Sequence, residues 1–355
     1  MNRSNTKREE FPGGAGLIRA SRRVASLALM LLILLIGCAG DQRTGAEAAG
    51  PTIGTVTLGE LDHALYPTLT DTVLTEPSDF VLAHDRIWVA ETRASIVTVL
   101  DRDFRLVRQI GRRGKGPGEL TDPFTVRVRD GRVSAGDRGT GRFEFFDTLG
   151  AGLGSLPLRA GHEHVLLGPD RLVAVDMDST TLGTLIEPDG ATPFGSSPSG
   201  DGGIRTYVPM SNLHRATLDG APVILLVPQN SAALHIHDLD GQHIETRELP
   251  EEILAELRAY RESVAEMFGS AVVGSSLVKQ VGVSQDGRVV TITMMSETAP
   301  VLIHDLDRRR ILYLDTSGHP LAGRVKNART AVYDDGLLYL LSDASLFAFE
   351  LDLPD

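Results

Sequence analysis

Between residues 77 and 350 the sequence repeats one phrase six times: an apolar run, a two-residue turn, a second apolar run, a polar or glycine-rich turn, and a third run closed by an acid. The fullest copy is Gly116 to Gly150, GPGELTDPFTVRVRDGRVSAGDRGTGRFEFFDTLG. Looser copies run from Pro77 to Asp101, Val165 to Glu187, Ala216 to Asp238, Val281 to Asp305 and Ala331 to Glu350. Apolar runs rich in Val, Leu, Ile, Thr and Phe read as strands. An Asp-Gly pair between two such runs, as at Asp130-Gly131, is a hairpin signal. The closing acids, Asp101, Asp147, Glu187, Asp238, Asp305 and Glu350, set the phase. A unit that cannot bury its own faces must stack against copies of itself, so the chain is constrained to a closed or stacked repeat.

The interval from Asp238 to Asp305 is the longest and contains EEILAELRAYRESVAEMF, Glu251 to Phe268. Its apolar residues, Ile253, Leu254, Leu257, Tyr260, Val264, Met267 and Phe268, fall at helical spacing. Pro250 and the two opening glutamates suit a helix start. One inserted helix is therefore expected over about 250–268.

The Gly116–Gly150 phrase resembles the NHL repeat, with its GxGPGEL lead-in, its "aD" at Ala135-Gly136-Asp137 and its "RFxFFD" at Arg142–Asp147. The resemblance implies an all-β fold, a six-bladed β-propeller of four-stranded antiparallel blades. The last unit has three strands before the chain stops, and Thr52–Leu58 (TIGTVTL) is expected to supply its outer strand and close the ring. Closure removes a sheet edge that would invite aggregation. The expected organisation is 1–37 leader, 38–51 tether and 52–355 propeller, with a monomeric body.

The leader reading rests on Val24–Ile36, VASLALMLLILLI, thirteen residues without a charge behind a basic stretch. That run is short for a membrane span and fits a signal peptide. Leu35-Ile36-Gly37-Cys38 resembles the bacterial lipobox. The resemblance implies cleavage before Cys38, lipidation of its thiol and acylation, with palmitate among the acyl groups, of the new N-terminus. Ala39 at the next position implies the outer membrane or periplasmic face of an envelope. Residues 39–51, AGDQRTGAEAAGP, read as a flexible tether to the membrane.

Charge narrows the partners. The chain carries 35 basic and 47 acidic side chains, and six of the basic ones lie within the leader. So acidic a body is not expected to bind nucleic acid, where Lys and Arg must neutralise phosphates. The single cysteine, Cys38, allows no intrachain disulfide.

In a meander with the first strand innermost, the links between blades and the turns between second and third strands share one face. A ligand is expected over the channel there. By phase, the basic side chains at that mouth are Arg93, Arg138, His164, His214, Arg215, Lys279 and Arg329, which would suit an anionic small molecule or acidic sugar. Glu91 and Asp137 are expected to hold their own turns. Two long links, Asp189 to Tyr207 and the helical one, are expected to flank the fourth blade as a lid or as cover for apolar surface.

The sequence has no GxSxG elbow, no HExxH helix and no phosphate-binding glycine loop. The leading expectation is a non-catalytic propeller that recognises a protein or glycan partner. The alternative is a metal-dependent hydrolase or lyase similar to gluconolactonases, acting on a small lactone or ester. Calcium would then be held by some of Asp79, Asp137, Asp178, His164, His214 and Asn230, with three or more donors within about 2.6 Å of one point. His162 with His164, and His235 with His237, are further i, i+2 pairs that could share a metal.

Overall fold

A computed structural model describes residues 52–65, 74–157, 163–175, 181–195, 211–229, 233–268, 277–296 and 299–354. Two strands precede the repeats, β1 (Thr52–Thr57) and β2 (Leu61–Leu65). The first blade is β3 (Pro77–Ala83), β4 (Arg86–Glu91), β5 (Ile96–Leu100) and β6 (Leu106–Ile110). The second is β7 (Pro123–Arg129), β8 (Arg132–Asp137), β9 (Arg142–Asp147) and β10 (Gly152–Pro157). The third is β11 (His164–Gly168), β12 (Arg171–Ala174), β13 (Gly183–Glu187) and β14 (Gly190–Phe194). The fourth is β15 (Ser211–Leu218), β16 (Ala221–Pro228), β17 (Leu234–His237) and β18 (His243–Arg247). Helix α1 (Glu251–Phe268) leads to the fifth blade, β19 (Val278–Val283), β20 (Val289–Met294), β21 (Val301–Asp305) and β22 (Arg310–Asp315). A short helix α2 (Ala322–Lys326) leads to the sixth, β23 (Ala328–Asp334), β24 (Leu337–Ser342) and β25 (Ser345–Glu350). The fold is thus the expected ring of six antiparallel blades.

The local chemistry explains the repeat. Asp130-Gly131, Asp219-Gly220 and Asp335-Gly336 all have positive φ at both residues, the geometry whose twist matches paired strands. The closing acids cap the next hairpin: Asp147 Oδ1 accepts from the backbone N–H of Leu149 and Ala151, and Asp238 Oδ1 from those of Asp240 and Gln242. In the second blade the lead-in folds back on itself, with Glu119 Oε2 accepting from Gly116 N–H at 2.8 Å. Gly118 in that motif has a φ of 72°, a left-handed backbone that favours glycine.

Each of the six seams between neighbouring blades holds one apolar cluster, such as Phe143, Phe145, Leu166 and Leu172 between the second and third. Helix α1 covers the seam of the fourth and fifth blades with Ile253 and Leu257, and Leu254 and Tyr260 pack beside them. This described helix acts as cover for apolar surface, fixed at Ser296, whose hydroxyl donates to Glu256 Oε1 at 2.9 Å. Of the other long link, residues 190–194 are β14 of the third blade, and 196–210 lie outside the described residues.

Ring closure differs from the sequence expectation. The outer strand of the sixth blade is β2, antiparallel to β25, whereas β1 pairs parallel to β22 as a fifth strand of the fifth blade. The parallel pairing of β1 follows from chain direction. Every fourth strand runs antiparallel to the third, and residues 58–60 carry the chain from β1 to β2 without reversing it. So β1 enters running the way a fourth strand runs, and parallel to β22. Gly59 makes the crossing by resting on the backbone of Glu350, with its N–H donating to Glu350 O at 2.9 Å, where a Cβ would clash. Val56 and Leu58 of the first segment fill the seam between the fifth and sixth blades. LDHAL gives little strand signal because an outermost strand packs along one edge only.

Candidate functional site

The six innermost strands, β3, β7, β11, β15, β19 and β23, each begin at the link-and-turn end of the ring axis and finish at the opposite end, where hairpin turns join them to the second strands. Polar groups at the two ends behave differently.

At the link-and-turn end they are spent on the scaffold. Asp137 is fully buried and accepts three backbone N–H bonds, from Thr121 (2.5 Å), Asp122 (3.0 Å) and Thr140 (3.0 Å). Glu91 accepts from Thr75 N–H at 2.8 Å and from the Thr98 hydroxyl. Both hold turns, as expected. Arg138 stacks over Phe124, 3.8 Å from the ring centroid, and lies 3.4 Å from Asp122. Lys279 Nζ donates to Lys326 O at 2.7 Å, and Arg329 to Pro77 O at 3.0 Å. Arg93 is exposed, and its carbonyl accepts from Arg113. His164 is fully buried between the second and third blades, 2.7 Å from the Ser134 hydroxyl and 4.6 Å between ring centroids from Phe143.

Below this level a buried network crosses the axis. Arg127 Nη1 donates to Asp79 Oδ2 at 2.6 Å, Nη2 to Glu163 Oε2 at 2.5 Å and Nε to His164 O at 3.1 Å. Asp79 Oδ1 accepts from Gln280 Nε2 at 3.0 Å. Four blades are thereby joined through one guanidinium, whose planar donors suit several acceptors at once. Burial, reinforced by Asp79, pushes the Glu163 carboxyl up to about 7 against the pull of Arg127. Burial also raises Asp79. The sequence reading missed Arg127, Glu163 and Gln280. A charged residue inside the apolar run FTVRV was the available signal.

Towards the hairpin end lies a cavity of about 480 Å³. Phe80, Leu82, Val128, Val165 and Val332 contribute apolar wall, and Arg127, Arg129, His214 and Arg215 contribute cationic or imidazole groups. Asp130 and Asp286 stand at its turns. Of the seven basic residues expected at the other mouth, the structure brings His214 and Arg215 here and leaves the rest at the link-and-turn end. Burial, then the charge of Arg127, holds His214 well below the usual imidazole range, so it is neutral near pH 7. Burial, then Arg129, lowers Arg215 to about 10. The guanidinium therefore stays charged.

Of the six candidate metal donors, Asp178 and Asn230 lie outside the described residues, as does His162. Asp79, Asp137 and His164 are engaged as above. Among the described residues no three His, Cys, Asp or Glu side chains are grouped to hold a metal. His235 shares the Thr246 hydroxyl with His243, at 2.9 Å from each, on the fourth blade's outer strands.

No family model and no curated protein matches this sequence. Solved structures do resemble it in fold. An exported protein from Bacteroides fragilis aligns over 86% of this chain and all of its own, with 11% identity and a TM-score of 0.56. Virginiamycin B lyase from Staphylococcus aureus aligns over 82% of this chain and all of its own, at 9% identity and a TM-score of 0.47. A Bacteroides thetaiotaomicron protein of unknown function aligns over 86% of this chain and 75% of its own, at 10% identity and a TM-score of 0.48. At such identities the likeness is one of fold alone, since propellers host unrelated functions.

Proposed function

We propose that this chain is an exported, lipid-anchored β-propeller that binds a ligand without transforming it. The observation that carries this reading is the axial cavity. Its volume suits a small molecule or the end of a protein or glycan partner. The carboxylates nearest its inner wall, Asp79 and Glu163, are committed to Arg127. The lining hydroxyl that reaches a carboxylate, Ser284 with Asp286 at 2.7 Å, is engaged in its own turn: Ser284 Oγ accepts from Val289 N–H and Asp286 Oδ1 from Arg288 N–H, whereas covalent or general-base chemistry requires a nucleophile free to meet a substrate. The anchor follows from the lipobox-like segment ending at Cys38, which would tether the body to the outer membrane through residues 39–51. Among the described residues no helix is long and apolar enough to cross a membrane.

The test is mass spectrometry of the protein purified from envelopes. The expected result is an acylated N-terminal Cys38 and a small molecule released on denaturation, recovered unchanged after incubation with fresh protein. An unmodified N-terminus ahead of Cys38 sinks the anchor, and conversion of the released molecule sinks the binding-only reading. Loss of the molecule on chelation, with calcium restoring both retention and turnover, would favour the lactone or ester hydrolase alternative.

A further inference from the structure

Arg215 differs from the arginines that the fold buries or half-buries against a carboxylate. Arg127 pairs with Asp79 and Glu163, Arg247 with Glu245, Arg310 with Asp305 and Arg102 with Asp334. In a chain with a surplus of acid, Arg215 has no carboxylate within ion-pair distance among the described residues, and its Nη1 is buried without a hydrogen-bond partner. His214 beside it is only 6% exposed, and its Nε2 is likewise buried without a partner. Both residues line the same cavity. A buried donor left unsatisfied costs about 1–3 kcal/mol, more when charged. The two atoms are shielded, and successive strand residues point to opposite sides, so the group that the half-buried Arg215 can offer the cavity is the remainder of its guanidinium.

The charge count sets what that group would meet. Arg129 is paired with Asp130 at 2.9 Å, and Arg127 is spent on the buried network. Arg215 is therefore the uncompensated charge, enough for one negative charge. Asp130 and Asp286 at the turns oppose a dianion such as a phosphate monoester. The remaining wall, from Phe80, Leu82, Val165 and Val332, offers apolar contact. Resting on the binding reading above, we propose that the axial cavity binds a monocarboxylate with a short apolar body, its carboxylate held by the Arg215 guanidinium. The bonds are charge-assisted and the fork of Arg215 suits both carboxylate oxygens. The carboxylate has two sources, a free short-chain acid or the C-terminus of a peptide; a sugar acid lacks the apolar body.

The experiment is calorimetric titration of the mature protein with hexanoate, N-acetylphenylalanine and glucuronate, each beside its neutral counterpart: hexan-1-ol, the amide and glucose. Hexanoate, N-acetylphenylalanine or both are expected to bind, at least about tenfold tighter than the neutral molecule, and glucuronate more weakly. Which of the two binds tighter assigns a free acid or a peptide terminus. Arg215→Gln is expected to weaken acid binding by about ten- to a hundredfold, with Arg215→Lys between. Arg93→Gln, at the opposite end, leaves affinity unchanged. Equal binding of acid and neutral molecule, an unchanged affinity in Arg215→Gln, tighter binding of glucuronate, or no binding of any acid overturns the proposal. A neutral molecule released unchanged from the purified protein overturns the carboxylate alone and leaves the binding reading standing. A converted acid whose capture depends on Arg215 does the reverse.

Discussion

The two ends of the propeller axis use the same kinds of side chain for opposite purposes. At the link-and-turn end, Asp137, Glu91, Arg138, Lys279 and Arg329 each find a backbone group or ring close by. At the hairpin end, Arg215 borders a cavity with no carboxylate in ion-pair distance among the described residues, and both it and His214 keep a buried nitrogen without a partner. Between them Arg127 ties Asp79 to Glu163 across the axis. The difference teaches that a polar residue on a propeller's inner face is not thereby a ligand contact. What matters is whether the fold has already satisfied it. Buried polar groups are normally paired, so an unpaired one calls for an explanation.

The comparison can be broken most forcefully at its centre. Arg127→Leu leaves Asp79 and Glu163 buried without their cation, and removal of one partner from such a set typically costs about 3–5 kcal/mol. Denaturant unfolding followed by circular dichroism is the measurement. A loss below about 1 kcal/mol would mean that the network is not structural. Next comes the link-and-turn end. Asp137→Ala orphans three backbone N–H groups and is expected to cost about 2–3 kcal/mol by the same assay, while ligand affinity in the surviving fold stays unchanged. Weaker ligand binding there would return the site to the sequence-expected mouth.

The smallest effect is a pH dependence. Glu163 titrates near 7 when folded and near 4.5 when unfolded, so its contribution is fully present below about 4.5 and is lost as pH rises towards 7. The buried histidines act in the opposite sense. Burial, then Arg247, lowers His304 to about 3, and burial, then His237, lowers His235 to about 4, so their contribution is present above 6.5 and fades as pH falls. Two histidines outweigh one carboxylate between about pH 4.5 and 6.5, so on these groups the melting temperature should rise through that window and turn over only near pH 7. Glu163→Gln keeps an acceptor for Arg127 and cannot ionise. It should match the parent at pH 5 and exceed it at pH 8 by a few degrees, on the order of 2 kcal/mol. Parallel melting curves for parent and variant from pH 5 to 8 would show that Glu163 is not buried as described.

Much of the scaffold was legible in the order of residues. Asp-Gly hairpins, closing acids and an amphipathic run after Pro250 act through neighbours in the chain, and strands, turns and α1 appear where those signals stand. Closure was legible only in outline. Ile53, Val56 and Leu58 look more like a strand than LDHAL does, yet the weaker segment completes the sixth blade. Both segments run the same way, so which one reaches the sixth blade is set by where the chain enters the ring, and no residue pattern records that.

The site lay further from reach. Phase assigned Arg93, Arg138, His164, Lys279 and Arg329 to the link-and-turn end, and they are there. Phase could not say that all of these but the exposed Arg93 would have side chains engaged nearby, nor that His214 and Arg215 would keep unpartnered nitrogens. The sequence by itself determined the repeat, its phase and the inserted helix, because each depends on contacts within a few residues. The tertiary structure alone decided which charges are neutralised. Asp79 meets Gln280 from 201 positions away, and Arg127 meets Glu163 only once neighbouring blades are packed. Charge neutralisation depends on distance in space, which ring closure sets.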